Sequence, residues 1–162
     1  MTSGSDASGT AYRHDDAGFA VSLPTGWPVD DEVDGCALVC VEPPPAGTHP
    51  AYLPPSIVVT IDALHDDEPF DRWLSRFRVS LAEIYNKLRL VDLEDTALGD
   101  LPAYRTLSHY LHGVVGGVCT EQWCIPAPGL VYVITCAAGT LQYDDFADTF
   151  QDVAAGFRLT TR

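Results

Sequence analysis

Residues 103–137, AYRTLSHYLHGVVGGVCTEQWCIPAPGLVYVITCA, decide the fold. Three strand-like runs, about 103–112, 117–125 and 130–137, are separated only by turn sequences. Gly116-Gly117 reads as a two-residue hairpin turn, since both positions tolerate positive φ, and Pro126-Ala127-Pro128-Gly129 makes the next. Parallel strands would need a helical crossover between them, and no segment here can form one. The strands are therefore expected to pair antiparallel. GLVYVITCAA, residues 129–138, has apolar residues on both faces and is expected to be a central strand covered on both sides.

Working outward, a further strand is expected over about 90–98 and a helix before it. From Phe70 the apolar positions are Phe70, Trp73, Leu74, Phe77, Leu81, Ile84, Tyr85 and Leu88, at gaps of three and four that define one helical face. Pro69 suits the first helical position, Asp71 the first turn, and Lys87 and Arg89 close the helix with positive charge. Upstream, 56–63 (SIVVTIDA), 36–42 (CALVCVE) and 18–23 (GFAVSL) alternate as strands, the last ending at the corner Pro24-Thr25-Gly26-Trp27-Pro28. Residues 43–55 hold half of the twelve prolines and form a stiff, extended connection, with a PxxP-type ligand as the alternative. Downstream, Tyr143, Phe146, Phe150 and Val153 form a second helical face, with Asp144, Asp145, Asp148 and Asp152 outside. Phe157-Arg158-Leu159 is expected to run back onto the sheet edge or the core. Three strands, a helix, four strands and a helix make an α+β domain: a curved, mainly antiparallel sheet of about six to seven strands with two amphipathic helices. Residues 1–11 read as a flexible tail and 12–162 as a single domain.

The chain of 162 residues carries 23 acids against nine bases, a formal charge of −14. Such a surface repels phosphate backbones and anionic lipid, so nucleic acid is not an expected partner. No apolar run reaches the length of a membrane span, so membrane insertion is not expected. The charge is uneven, however. Five bases (Arg72, Arg76, Arg78, Lys87, Arg89) against three acids (Glu68, Asp71, Glu83) leave the stretch from Glu68 to Leu90 at +2 and the remainder at −16. That basic helix is expected to dock onto its own protein's acidic field, or else to serve as a recognition stripe. Five cysteines in apolar contexts, without a basic-then-apolar leader, read as buried thiols in a reducing compartment, and the cytoplasm is the expected location.

The motifs of catalysis and metal binding fail on geometry. There is no G-x-S-x-G elbow, and a Cys–His pair across the sheet is more often packing than catalysis. Cys36 and Cys40 would share a strand face but stand about 13 Å apart along it. His109 and His112 are separated by an odd step, which sends their rings to opposite faces. No metal site, cofactor or catalytic residue is assigned. One surface stands out. With a two-residue turn at Gly116-Gly117, Tyr110 faces Trp123, and a following turn centred on Ala127-Pro128 sets Trp123 against Tyr132. One sheet face then collects Tyr104, Thr106, Ser108, Tyr110, His112, Trp123, Ile125 and Tyr132. Amphipathic aromatics with hydroxyls and a histidine describe a partner-binding face, here Tyr104, Tyr110, His112, Trp123 and Tyr132. They equally describe a core beneath the helices, and a register slip of one residue would exchange the two faces.

The order of elements, the opening GFAVSLPTGW, the late VYVITCAA and the closing FADTFQDVAAGFRL resemble the PsbP-like superfamily, which includes DcrB-like bacterial proteins and actinobacterial LpqN-type lipoproteins. The resemblance spans roughly residues 12–160 and implies a curved antiparallel sheet with helices on its faces. It also implies a non-enzymatic protein-binding, accessory or chaperone role. The chain departs from the lipoprotein members in lacking an export signal and a lipid-anchoring cysteine near its start. The expected function is therefore an adaptor or chaperone-like module that engages a protein partner on its sheet face. The rival expectations are a small hydrolase with a Cys/His or Ser/His site and an apolar small-ligand carrier. Oligomeric state, monomer or dimer, stays open.

Overall fold

The computed structural model describes residues 9–65 and 67–160. Among them, ten strands and two helices follow in the order β1 (Thr10–His14), β2 (Phe19–Leu23), β3 (Val29–Asp30), β4 (Leu38–Val41), β5 (Ser56–Ala63), α1 (Phe70–Ile84), β6 (Arg89–Leu98), β7 (Leu101–His112), β8 (Gly116–Ala127), β9 (Leu130–Gly139), α2 (Tyr143–Ala155) and β10 (Arg158–Leu159). Seven strands form one sheet in the order β3-β4-β5-β9-β8-β7-β6, and β1-β2-β10 form a second. Every pairing is antiparallel, and from β6 to β9 successive strands are joined by short turns. The α+β class stands. Strand β1 begins at Thr10, inside the segment expected as a tail, and residues 1–8 of that segment lie outside the described residues.

Strand β9 lies fourth of seven in the large sheet and is apolar on both faces for that reason. Its Val131 and Val133 join Trp73, Leu74, Tyr104 and Cys124 in a small core under α1. Its Tyr132, Ile134, Cys136 and Ala138 face the main core, where the small sheet and α2 supply Phe19, Phe150 and Phe157. The corner and the closing aromatic segment singled out in the sequence meet here. Trp27 of the Pro-Thr-Gly-Trp corner packs edge-on against Phe146 of α2, at 6.1 Å between ring centroids. Phe157 stacks on Phe19 at 5.6 Å, and the Tyr132 hydroxyl donates to the Ala17 carbonyl at 2.7 Å. Those residues tie the helix and the small sheet to the large one. Their job is packing.

Helix α1 starts where its period predicts but ends at Ile84, a turn early, with no basic residue in its last turn. Lys87 takes a left-handed φ of 53° and Arg89 already opens β6. Tyr85 leaves the helix to stack on Tyr110 of β7 at 4.3 Å, and the Leu111 N–H donates to the Asn86 carbonyl at 3.0 Å. These tertiary contacts outweigh continued helical propensity. No described helix is long and apolar enough to cross a membrane.

Candidate functional site

The five residues expected on one face are not brought together. The β7–β8 turn is made by Gly113, Val114 and Val115, with His112 paired to Gly116. The His112 Nδ1 accepts from the Val114 and Val115 N–H groups at 3.2 and 3.3 Å, which holds this longer turn closed. Tyr110 consequently pairs with Val118 instead of Trp123. The slip is an odd number of residues, so it moves Trp123 to the other face of the sheet. At the next hairpin, Ala127 pairs with Leu130 around Pro128-Gly129, and Ile125 opposes Tyr132. Trp123 and Tyr132 thus share a face, but it is the main-core face, where they are 1% and 5% exposed. Tyr104 packs into the small core beside Trp73, Tyr110 lies under Tyr85, and the exposed His112 holds its own turn.

What the α1 face offers instead is a groove. Only Trp73 and Leu74, in the N-terminal half of α1, are buried. Trp73 is fixed there by stacking on Phe70 and Phe77 and by donating its indole N–H to Asp62 at 2.8 Å. Beyond Phe77 the helix and the sheet edge enclose a volume of ≈ 400 Å³ walled by Phe77, Leu81, Leu88 and Leu90 and floored by Thr106 and Ser108. Thr106 and Ser108 belong to the face expected from sequence, and both are buried. The Thr106 Oγ1 has no hydrogen-bond partner. Around the mouth, Val79 is 60% exposed and Ile84 72%. Leu90, Val91 and Leu93 of β6 are exposed as well, an apolar concentration of the kind that marks contact surfaces.

Strand β6 is an edge of the large sheet. Its register is broken between Leu90 and Asp92, and it carries Asp92, Glu94 and Asp95. Bulges and charges at an edge discourage pairing with another strand. The groove beside β6, rather than its open backbone, is the accessible feature. Sequence reading missed it because Ile84 and Leu88 fit the helical stripe. The available signal was the pair of apolar residues Leu90 and Val91, which breaks strict alternation.

The opposite face holds a buried charge. Glu121 is fully buried, and its Oε2 accepts from the Arg105 Nε at 2.7 Å, from the Arg105 Nη2 and from the Gln151 Nε2 at 3.0 Å. Burial raises its carboxyl above the ordinary range, and the Arg105 hydrogen bond and charge only partly offset this. Arg105 also reaches Asp92 and Glu94, at 3.2 and 3.4 Å. Burial likewise pushes the Cys40 thiol up to about 11, Cys124 to about 12 and Cys136 well above its usual value. Cys119 does face His109 across β7 and β8, yet burial raises its thiol too. A nucleophilic cysteine needs the reverse shift. Among the described residues, no three His, Cys, Asp or Glu side chains are grouped to hold a metal.

By sequence, no family model and no curated protein matches the chain. Several solved structures match in three dimensions. The cyanobacterial PsbP protein CyanoP of Synechocystis sp. PCC 6803 has a TM-score of 0.71 and 16% identity, covering 98% of both chains. LpqN of Mycobacterium tuberculosis, involved in cell envelope biogenesis, has a TM-score of 0.71 and 18% identity over 94% of this chain and 90% of that one. The Saccharomyces cerevisiae Ran-binding protein Mog1p has a TM-score of 0.62 and 15% identity over 93% and 95%. Sequence motifs, antiparallel topology and these superpositions agree, and the chain has the PsbP-like fold.

Proposed function

We propose that the chain is a non-enzymatic, adaptor- or chaperone-like protein-binding module that receives a segment of a partner in the groove beside α1. The observation that carries the reading is the groove itself: apolar walls, a buried hydroxyl floor and a rim of exposed aliphatic side chains at one sheet edge. Such a combination offers burial to apolar side chains and hydrogen bonds to a main chain. The raised thiols support the non-enzymatic side, since none is poised as a thiolate. The Ran-binding neighbour gives one instance of this architecture in a protein that binds another protein, though sites and not folds transmit function. Five free cysteines support a reducing compartment such as the cytoplasm.

A Val79→Asp/Leu90→Asp variant of the full chain tests the groove. Partners captured by the unmodified protein from native lysate are expected to be lost by the variant and kept by Leu141→Asp, an exposed site beside α2. Retention of every partner by a folded Val79→Asp/Leu90→Asp protein would refute the assignment. The volume also falls within the range of small-molecule sites, which favours an apolar-ligand carrier as the second reading. Saturable displacement of a fluorescent fatty acid, with no protein captured, would select that one.

A further inference from the structure

We infer that the partner segment is acidic as well as apolar, with carboxylates interspersed among the apolar side chains that enter the groove. The inference rests on the groove being the docking site, and it comes from the distribution of positive charge. Eight basic residues are described. Arg13 pairs with Asp15, Arg76 with Glu68, and Arg105 with Asp92, Glu94 and Glu121. Arg158 donates to the Ala155 and Phe157 carbonyls, each at 2.7 Å. Arg72, Arg78, Lys87 and Arg89 remain. None has a carboxylate within ion-pair distance among the described residues, and all four are exposed.

Three of them border the groove. Arg78 lines it directly. Arg72 lies one helical turn before Ser75, another lining residue, so both project from one side of α1. Lys87 immediately precedes the lining residue Leu88, whereas Arg89, opposite His109, is turned to the other face of the sheet. From Arg72 to Arg89 the one acid is Glu83. Asp92 and Glu94 of β6 are turned to that other face and held by Arg105; Asp95, opposite Tyr104, is on the groove's face but beyond the lining residue Leu90 along the strand. Among the described residues, the expected docking of this helix onto its own acidic body is not made: of the bases from Arg72 to Arg89 only Arg76 finds a carboxylate there, and it is Glu68, within the same segment.

In a chain with 23 acids, three cations at the groove without partners among the described residues make a local positive field inside a negative one. The two ranges select the ligand. A polyanion such as nucleic acid or an anionic bilayer feels the whole charge of −14 and is repelled. A short segment feels charges within about one Debye length, about 8 Å at physiological ionic strength, and is attracted. The unpartnered Thr106 Oγ1, on a side chain 5% exposed at the groove floor, independently awaits a polar group from whatever enters.

Panning a random dodecapeptide phage library on the full chain tests this. The recovered peptides are expected to be enriched in Asp and Glu among apolar residues. A synthetic copy is expected to lose affinity about tenfold or more on Arg72→Ser/Arg78→Ser/Lys87→Ser, and to weaken between about 50 and about 500 mM salt. All three side chains are exposed, so the variant should fold, and its circular dichroism should match the unmodified protein. Peptides that need Val79 and Leu90 but carry no excess acid would sink this inference and leave the protein-binding reading intact. So would peptides that bind the triple variant equally well. Peptides indifferent to Val79→Asp/Leu90→Asp, or no recovery at all, would sink both. Binding of a single-stranded oligonucleotide or a phosphatidylglycerol vesicle through the same three cations would overturn it in favour of phosphate recognition.

Discussion

Glu121 is ionisable and fully enclosed, with its Oε2 held by Arg105 and Gln151 and the Tyr143 hydroxyl also bonding to its carboxyl group. Its carboxyl is raised by burial in the folded chain, so folding favours the protonated form. The contribution to stability is fully present below the ordinary value of 4.5 and is lost as pH rises through the raised folded value. Urea denaturation of Glu121→Gln and the unmodified protein, from about pH 4 to about pH 8, should therefore diverge, with the variant gaining relative stability as pH rises. A constant difference would show that Arg105 fully compensates the burial. Arg105→Met should cost about 3 kcal/mol, because it strands the buried carboxylate, whereas Arg105→Met/Glu121→Met should recover most of that loss. The thiols give a second readout. Cys40, Cys124 and Cys136 are buried, and Cys36 and Cys119 are half-buried. A disulfide exchange reagent should label no more than those last two in the native protein, and all five after unfolding.

Helices and hairpins show where local pattern suffices. The onset of α1 at Phe70 follows from its three-and-four spacing, with Asp71 in the first turn. Its end does not, because the stop at Ile84 depends on Tyr85 finding Tyr110 from a strand far along the chain. The left-handed φ of 53° at Lys87 is part of that stop and carries a steric cost for a residue with a Cβ. Lys87→Gly should raise stability by up to about 1 kcal/mol in thermal or urea unfolding, since glycine removes that cost while adding unfolded-state entropy. In the β7–β8 hairpin, Gly116-Gly117 was an attractive turn, but Gly116 at φ 81° pairs within the ladder instead. Strand existence was legible there. Turn length was not, because a histidine side chain holds the chosen loop.

Across the whole molecule, two layers compete for the sheet and cover it unequally. The main core holds Trp123, Phe150, Phe157 and Phe19, all essentially unexposed, while α1 seals only one end of the other face. Trp123→Ala should cost about 3–5 kcal/mol and act through unfolding rather than through any docking surface. A folded Trp123→Ala protein of unchanged stability would contradict that placement. The net charge of −14 gives a further expectation. Salt should raise the melting temperature by screening self-repulsion, yet weaken docking of an acidic segment. Docking that is unchanged or strengthened by salt would mean that the groove's cations do not recognise charge.

The α+β class, the antiparallel pairing, the two helical faces and the central, doubly covered β9 were all readable from residue order. Periods of two and of 3.6 are properties of a short stretch and its immediate neighbours. The grouping of Tyr104 and Tyr110 with Trp123 and Tyr132 was not readable, because facing depends on register parity, and parity turns on a loop differing by an odd number of residues. Strand β8 could not arbitrate, since it buries side chains on both faces and no residue in it protests a flip. The groove needed the fold for a similar reason. Apolar residues on α1 and β6 look like ordinary core until the packed sheet shows that nothing in the described chain reaches far enough to cover them.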